Sequence, residues 1–253
     1  MKIICEKDLL VEAVSNVARA ACAKSPVPAL EGILLKAQDG QLQLTGYDLE
    51  LGIVTTIEAK TEQPGRLILS ARLLLDIIRR IPAQTVSILS DERDLATIRG
   101  GASEFTIPGL NAEEYPELPN FEQQSDLVLK QGVLKSMIDQ TLFAIATTDS
   151  KPVHTGSLFD VKDSCVTLVS VDGYRLALRR EPIVSDLTTR FIVPGKTLAE
   201  ISKLLKEEDE EAYLALSQKH IVFRIGGYYV VSRLLEGEFR RAAEKFSAGE
   251  PVS

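Results

Sequence analysis

The sequence predicts an α+β fold made of one unit built twice in tandem, each copy an antiparallel sheet with two helices on one face. Three observations lead there: a self-match at a constant offset, helical periodicity at two places in each copy, and short alternating strands separated by turn residues. At an offset of 124 residues Gly32 falls on Gly156, Leu34 on Leu158, Asp39 on Asp163, Leu44 on Leu168 and Asp48 on Asp172. The same offset lays Arg66-Leu67-Ile68-Leu69 on Arg190-Phe191-Ile192-Val193, and Leu9, Leu10, Ala13, Val14 and Ala20 on Val133, Leu134, Met137, Ile138 and Ala144. One offset serving three separated blocks argues against chance matching.

Each copy opens with a short strand, Lys2-Ile3-Ile4 or Leu127-Val128-Leu129. A helix follows, with apolar residues at 9, 10, 13, 14 and 17 in the first copy and at 133, 134, 137 and 138 in the second. GILLKA and QLQLTGYD then read as strands, and Asp39-Gly40 between them is a hairpin signal. GRLILS and TRFIVP are strands that lead into second helices. These are SARLLLDIIRRIP, with Ser70 as its N-cap and Pro82 as its stop, and PGKTLAEISKLLKEE. TVSILS, LATIRG and SEFTIP close the first copy; AYLALS, HIVFRI and YYVVSR close the second. The expected domains are 1–120 and 125–240, with 241–253 a divergent tail. Between the copies, GLNAEEYPELPNFEQQSD reads as a linker. From Gly100 to Leu129 there are six acids and no Lys or Arg, and Pro108, Pro116 and Pro119 break any helix.

Composition narrows the function classes. The chain has 253 residues, of which 45% are hydrophobic and 26% charged, as in a soluble globular protein. It contains no apolar run of spanning length, so no membrane partner is expected. Charge inside the only apolar stretch of MKIICEKDLLVEAV argues against a signal peptide. Cys5, Cys22 and Cys165 form no CxxC pair and read as reduced cytosolic thiols filling core positions. There is no P-loop, no GxGxxG after a strand and no GxSxG elbow, so neither a cofactor nor a nucleophile is indicated. Asp48, Glu50 and Asp172 are the acids a metal-dependent hydrolase would use, but Asp48 and Asp172 are repeat mates, and a strand-end aspartate that caps a turn is the simpler reading of each.

The second helices carry the most informative pattern. Arg72, Asp76 and Arg79 lie at i, i+4 and i+7 and share a face; at the repeat offset stand Lys196, Glu200 and Lys203, with the same signs in the same order. Leu74, Ile77, Ile78 and Ile81 form the opposite, apolar face. Such a face is either solvated and laced by intrahelical ion pairs or aimed at a phosphate backbone. A net charge of −7 excludes a uniformly basic protein but not basic stripes on an acidic body.

LLKAQDGQLQLTGYDLELGI, LSARLLLDIIRRIP, SVDGYRLAL, FIVPGKTLAEISKLL and RLLEGEF together resemble the bacterial DNA sliding clamp family, the beta subunit of DNA polymerase III, over residues 1 to about 239. The resemblance implies a non-catalytic processivity factor without cofactors. Each family subunit has three such units, and two subunits close a ring that duplex DNA threads without sequence readout. The polymerase catalytic subunit, a clamp loader and other partners dock short peptides on it. Carried over residue by residue, the resemblance implies DNA contacts at Lys24, Arg72, Arg79, Arg80, Thr148, Lys151, Lys196 and Lys203. It implies a peptide pocket at His154, Val171, Gly173, Tyr174, Arg175 and Leu176, with His154 where the family usually has leucine. It also implies a subunit interface at Ile77, Phe105 and Ile107, the last two free to pack against a neighbour.

This chain departs from the family after Phe239. The family continues Pro-Asp-Tyr-Arg-Arg, whereas here Arg240-Arg241-Ala242 follow directly, and AAEKFSAGEPVS does not resemble the opening of a third unit. The expectation is a weakened pocket and a polypeptide that stays monomeric or associates weakly. A peptide-docking module of clamp fold that does not encircle DNA is the alternative.

Overall fold

The computed structural model describes residues 1–119, 127–148, 151–206 and 209–239. The chain divides into two compact units, Met1–Pro119 with Gly227–Tyr229, and Asn120–Gly226 with Val230–Ser253.

In the first unit the order is β1 Lys2–Glu6, α1 Lys7–Val17, β2 Gly32–Gln38, β3 Gln41–Tyr47, β4 Leu51–Glu58, β5 Lys60–Gln63, β6 Gly65–Ser70, α2 Ala71–Arg80, β7 Thr85–Ser90, β8 Leu95–Gly100 and β9 Ser103–Leu110. Its strands pair antiparallel in the order β4-β3-β2-β6-β9-β8-β7-β1-β5. The second unit comprises β10 Leu127–Lys130, α3 Gln131–Thr141, β11 Gly156–Lys162, β12 Cys165–Val171, β13 Leu176–Pro182, β14 Thr189–Pro194, α4 Gly195–Leu204, β15 Glu211–Leu216, β16 His220–Ile225 and β17 Tyr228–Arg233. Here the strands run β13-β12-β11-β14 in one sheet and β10-β15-β16-β17 in another order. The expected single sheet per unit is thus replaced in the second unit by two four-stranded arrays. In the first unit β6 and β9 join across Ile68–Leu110 and Leu69–Gly109; in the second the corresponding junction is one bridge, Ile192–Leu235.

The repeat holds at the level of register. Helices α1 and α3, and α2 and α4, start and end 124 residues apart, as do the 3-10 turns Ala18–Ala20 and Leu142–Ala144, and Pro28–Glu31 and Pro152–Thr155. Leu34 faces Ile68 and Leu158 faces Ile192; Leu34 faces Thr45 and Leu158 faces Val169. The β2–β3 turn places Asp39 and Gly40 at φ 50° and 77°, the two left-handed residues of a type I′ hairpin; Asp163 and Ser164 do the same at 52° each.

Packing follows the apolar periodicity. Helix α1 buries Leu10, Ala13, Val14 and Val17 and lies against α2, β3 and β4; α3 buries Leu134, Met137 and Ile138 against α4, β12 and β13. Leu9, expected on the apolar face, is 40% exposed at the stripe's margin. Ser70 caps α2 by accepting the Leu73 N–H at 3.4 Å, and the helix stops before Pro82 because the residue preceding a proline is pushed to extended backbone, as Ile81 is (ψ 122°). Cys5 is buried, and its thiol is pushed up to about 12 by burial, whereas Cys22 and Cys165 are only half-buried, a correction to their reading as core residues.

The segment read as a linker is corrected too. From Gly109 to Pro119 it belongs to the first unit: Tyr115 is buried and its phenol donates to the Thr45 carbonyl at 3.1 Å, and Leu118 packs beside it. The remainder, 120–126, and the tail from Arg240 lie outside the described residues.

Candidate functional site

The basic helix faces are built by α2 and α4. Burial of Leu74 and Ile78, with Ile81 just beyond the helix, turns Arg72, Asp76, Arg79 and Arg80 outward, and all four are exposed; Ile77 lies half-buried at the boundary. On α4, Thr197, Leu198, Ile201 and Leu204 are buried, leaving Lys196 and Lys203 exposed and Glu200 between them. The two faces differ in how their cations are held. Arg79 donates to the neutral Ser15 hydroxyl of α1 at 3.1 Å. Lys203 is paired to the Glu200 carboxylate at 2.8 Å. The position of Arg80 is taken in the second unit by buried Leu204, so the repeated charge is confined to the 72/79 and 196/203 pairs. Lys24 and Thr148 are repeat mates, each exposed between two 3-10 turns, and Lys151 is exposed at the start of the second of those turns in its unit.

The expected pocket residues fall in two groups. Leu158, Val169, Ile192 and Phe239 form a buried apolar cluster, and Val153, Val171, Leu176, Leu178 and Leu235 pack on it half-exposed. His154, expected in the pocket wall, is only 4% exposed and meets the Phe239 ring edge-on at 5.6 Å between centroids, so it is an interior residue packed against the cluster. Gly173, Tyr174 and Arg175 form the β12–β13 turn and stand outside the cluster, with Tyr174 fully exposed. Gly173 has φ 100°. The Asp172 carboxylate accepts the Tyr174 and Arg175 backbone N–H groups at 3.0 Å each and the Arg175 guanidinium at 2.7 Å. Those bonds, the Tyr174 N–H foremost, hold it down to about 2.

Asp48 does the same work in the first unit, accepting the Glu50 and Leu51 N–H groups at 3.0 and 2.7 Å. Both aspartates are therefore turn caps, and no cluster of metal-ligating side chains occurs among the described residues. At the expected interface Phe105 is 40% exposed on β9, but Ile107 is 8% exposed and belongs to the first unit's own core, so Phe105 is the side chain that strand offers. Sequence reasoning missed Val153, Leu158, Val169, Leu178, Ile192 and Leu235 as one surface. The signal was available: 158, 169, 178 and 192 are cross-strand neighbours on one face.

Comparison with known proteins places this geometry. Residues 1–119 match the DNA polymerase III beta subunit, N-terminal domain, and residues 128–241 match its central domain. The chain belongs to the DNA polymerase III beta subunit family. The Bacillus subtilis beta sliding clamp is 34% identical over 249 residues, a span covering 94% of this chain and 66% of that protein. Among solved structures, the beta subunit from Eubacterium rectale superposes with a TM-score of 0.93 at 34% identity, covering 98% of this chain and 68% of the other. The Bacillus subtilis sliding clamp does so at 0.93 and 33%, covering 96% and 67%. The chain thus spans about two thirds of the length of the family members it matches. No helix among the described residues is long and apolar enough to cross a membrane.

Proposed function

We propose that this chain supplies the DNA-contacting units of a sliding clamp, a non-catalytic accessory to a DNA polymerase. The observation that carries the reading is the repeated, exposed cation pair on α2 and α4, set on a scaffold of the beta subunit family. Two helices with the same charge order suit contact with phosphates, and contacts confined to phosphates carry no sequence information, so binding is independent of sequence. Lys24, Thr148 and Lys151 extend the contact from adjacent loops, and Arg80 adds a third cation on α2. The half-exposed apolar cluster of Val153, Val171, Leu176, Leu178 and Leu235 is the seat for an apolar partner peptide, such as one from the polymerase or a clamp loader. Phe105 on β9 is the contact to a neighbouring subunit. The 253-residue polypeptide alone is expected to be a monomer or weakly associated, which sedimentation equilibrium measures.

The deciding experiment is charge reversal at Arg72, Arg79, Lys196 and Lys203 together, with duplex DNA affinity measured across salt. Binding should weaken and become less salt-dependent. Unchanged binding would show that the faces are merely solvated.

A further inference from the structure

The apolar cluster of the second unit has a counterpart in the first. There Ala29, Tyr47, Ile68 and Tyr115 are buried, with Leu34, Leu110 and Leu118 packed on them. At the repeat offset Ala29 corresponds to Val153, Leu34 to Leu158, Tyr47 to Val171, Ile68 to Ile192 and Tyr115 to Phe239. Leu110 corresponds to Leu235, since each bridges the isoleucine of its own unit. Both units therefore close the same surface with an aromatic residue, Tyr115 at 7% exposure and Phe239 at 9%.

The counterparts differ in what lies on top. In the first unit the chain continues past Tyr115 through Pro116 and Glu117 and lays Leu118 on the cluster. In the second unit position 242, which corresponds to Leu118, is an alanine, whose methyl cannot replace a leucine side chain, and it lies outside the described residues. The second unit instead offers Leu176 and Leu178 where the first has Gly52 and Val54. One surface is thus covered by a leucine of its own chain, and its twin carries more apolar side chain and lacks that leucine.

We propose that Leu118 is a built-in occupant, and that the first unit holds a second, latent site for extended leucine-bearing peptides that is closed in cis by residues 115–119. The inference rests on reading the second unit's cluster as a peptide seat, but it is tested separately from that reading. The full chain, isotope-labelled at Leu and Ile methyls, is titrated with a blocked peptide copying Asn111–Pro119, in native form and as Leu118→Asp and Leu118→Ala. In the native chain the Leu34, Ile68 and Leu110 methyls should not move. In either variant they should shift saturably, with at least a tenfold gain in affinity at that site. Leu158, Leu176 and Leu178 methyls report the second unit independently, so its silence would count against the peptide-seat reading alone. If a folded variant leaves Leu34, Ile68 and Leu110 unmoved, or if both variants unfold, Leu118 is ordinary core and the proposal is overturned.

Discussion

Leu49 sits at φ 75°, a region an L-residue with a bulky side chain rarely adopts, and its repeat mate Gly173 sits at φ 100° in the equivalent turn. A Cβ built on Gly173 meets nothing within 4 Å, so only the backbone opposes a side chain there. Gly173→Leu should therefore cost about 1–2 kcal/mol of strain, reduced by the roughly 0.5–1 kcal/mol of chain entropy that the unfolded state loses with the glycine. Leu49→Gly should be nearly neutral, because relief of that strain is offset by the roughly 0.5–1 kcal/mol of added chain entropy in the unfolded state. Urea denaturation of both variants measures the contrast; equal effects in the two turns would refute it. The adjacent Asp172 gives a pH test. A carboxylate held near 2 stabilises its turn above the ordinary value and loses that contribution as pH falls toward 2. Its carboxyl carbon should titrate near 2, and Arg175→Ala should leave it below the ordinary carboxylate range, since the backbone N–H groups are the larger cause. A midpoint near 4 in the native chain would show that the turn bonds are absent. That an aspartate caps each turn was legible in the sequence, because short acceptors at strand ends favour local N–H groups. Burial of His154 was not, since it depends on Phe239, which is far along the chain.

The helix pairs were the most legible elements. Their apolar stripes set which side faces the core, while the ends were read too long: SARLLLDIIRRIP narrows to Ala71–Arg80 and PGKTLAEISKLLKEE to Gly195–Leu204. Strands β4 and β5 were not singled out, because Leu51–Glu58 mixes buried and half-buried positions and Lys60–Gln63 is wholly polar outside its pairing with β1. The run from Gly109 to Pro119 resembled a linker for a similar reason: acidic, proline-bearing sequence hid the two apolar anchors, Tyr115 and Leu118, that tie it down. On α4 the ion pair between Glu200 and Lys203 is exposed enough at its lysine end to contribute little stability, yet it ties up a cation that the proposed DNA contact needs. Glu200→Gln should free Lys203 and remove a like charge from phosphate's vicinity. At contact distance in water that is worth about 1 kcal/mol, or about fivefold in DNA affinity. Asp76→Asn on α2, where no ion pair is present among the described residues, should give less. Fluorescence anisotropy on a short duplex resolves the two, and a weaker complex with Glu200→Gln would run against the proposed orientation of this face.

At the scale of the whole chain, a formal charge of −7 means that DNA is not drawn in by net attraction. Beyond about 8 Å at physiological salt the acidic surroundings and the basic faces are both screened, so binding depends on cations that reach phosphates directly. Each such contact adds about 0.9 to the slope of log affinity against log salt. If both units engage one duplex, reversing Arg72 and Arg79 should lower the slope by about 1.8, reversing Lys196 and Lys203 should lower it by a similar amount, and the four together should lower it by the sum. If the chain is instead a peptide-docking module that touches DNA through one unit or none, at least one pair will be silent. The measurement needs only equilibrium affinities between low and moderate salt for the native chain, the two paired variants and the fourfold variant. Additive loss from both pairs is the outcome that a clamp built from repeated units requires, because a groove-reading protein would concentrate its slope in one recognition element. A slope carried wholly by one unit would keep the fold and the family but remove the reason for repeating the charge on α2 and α4.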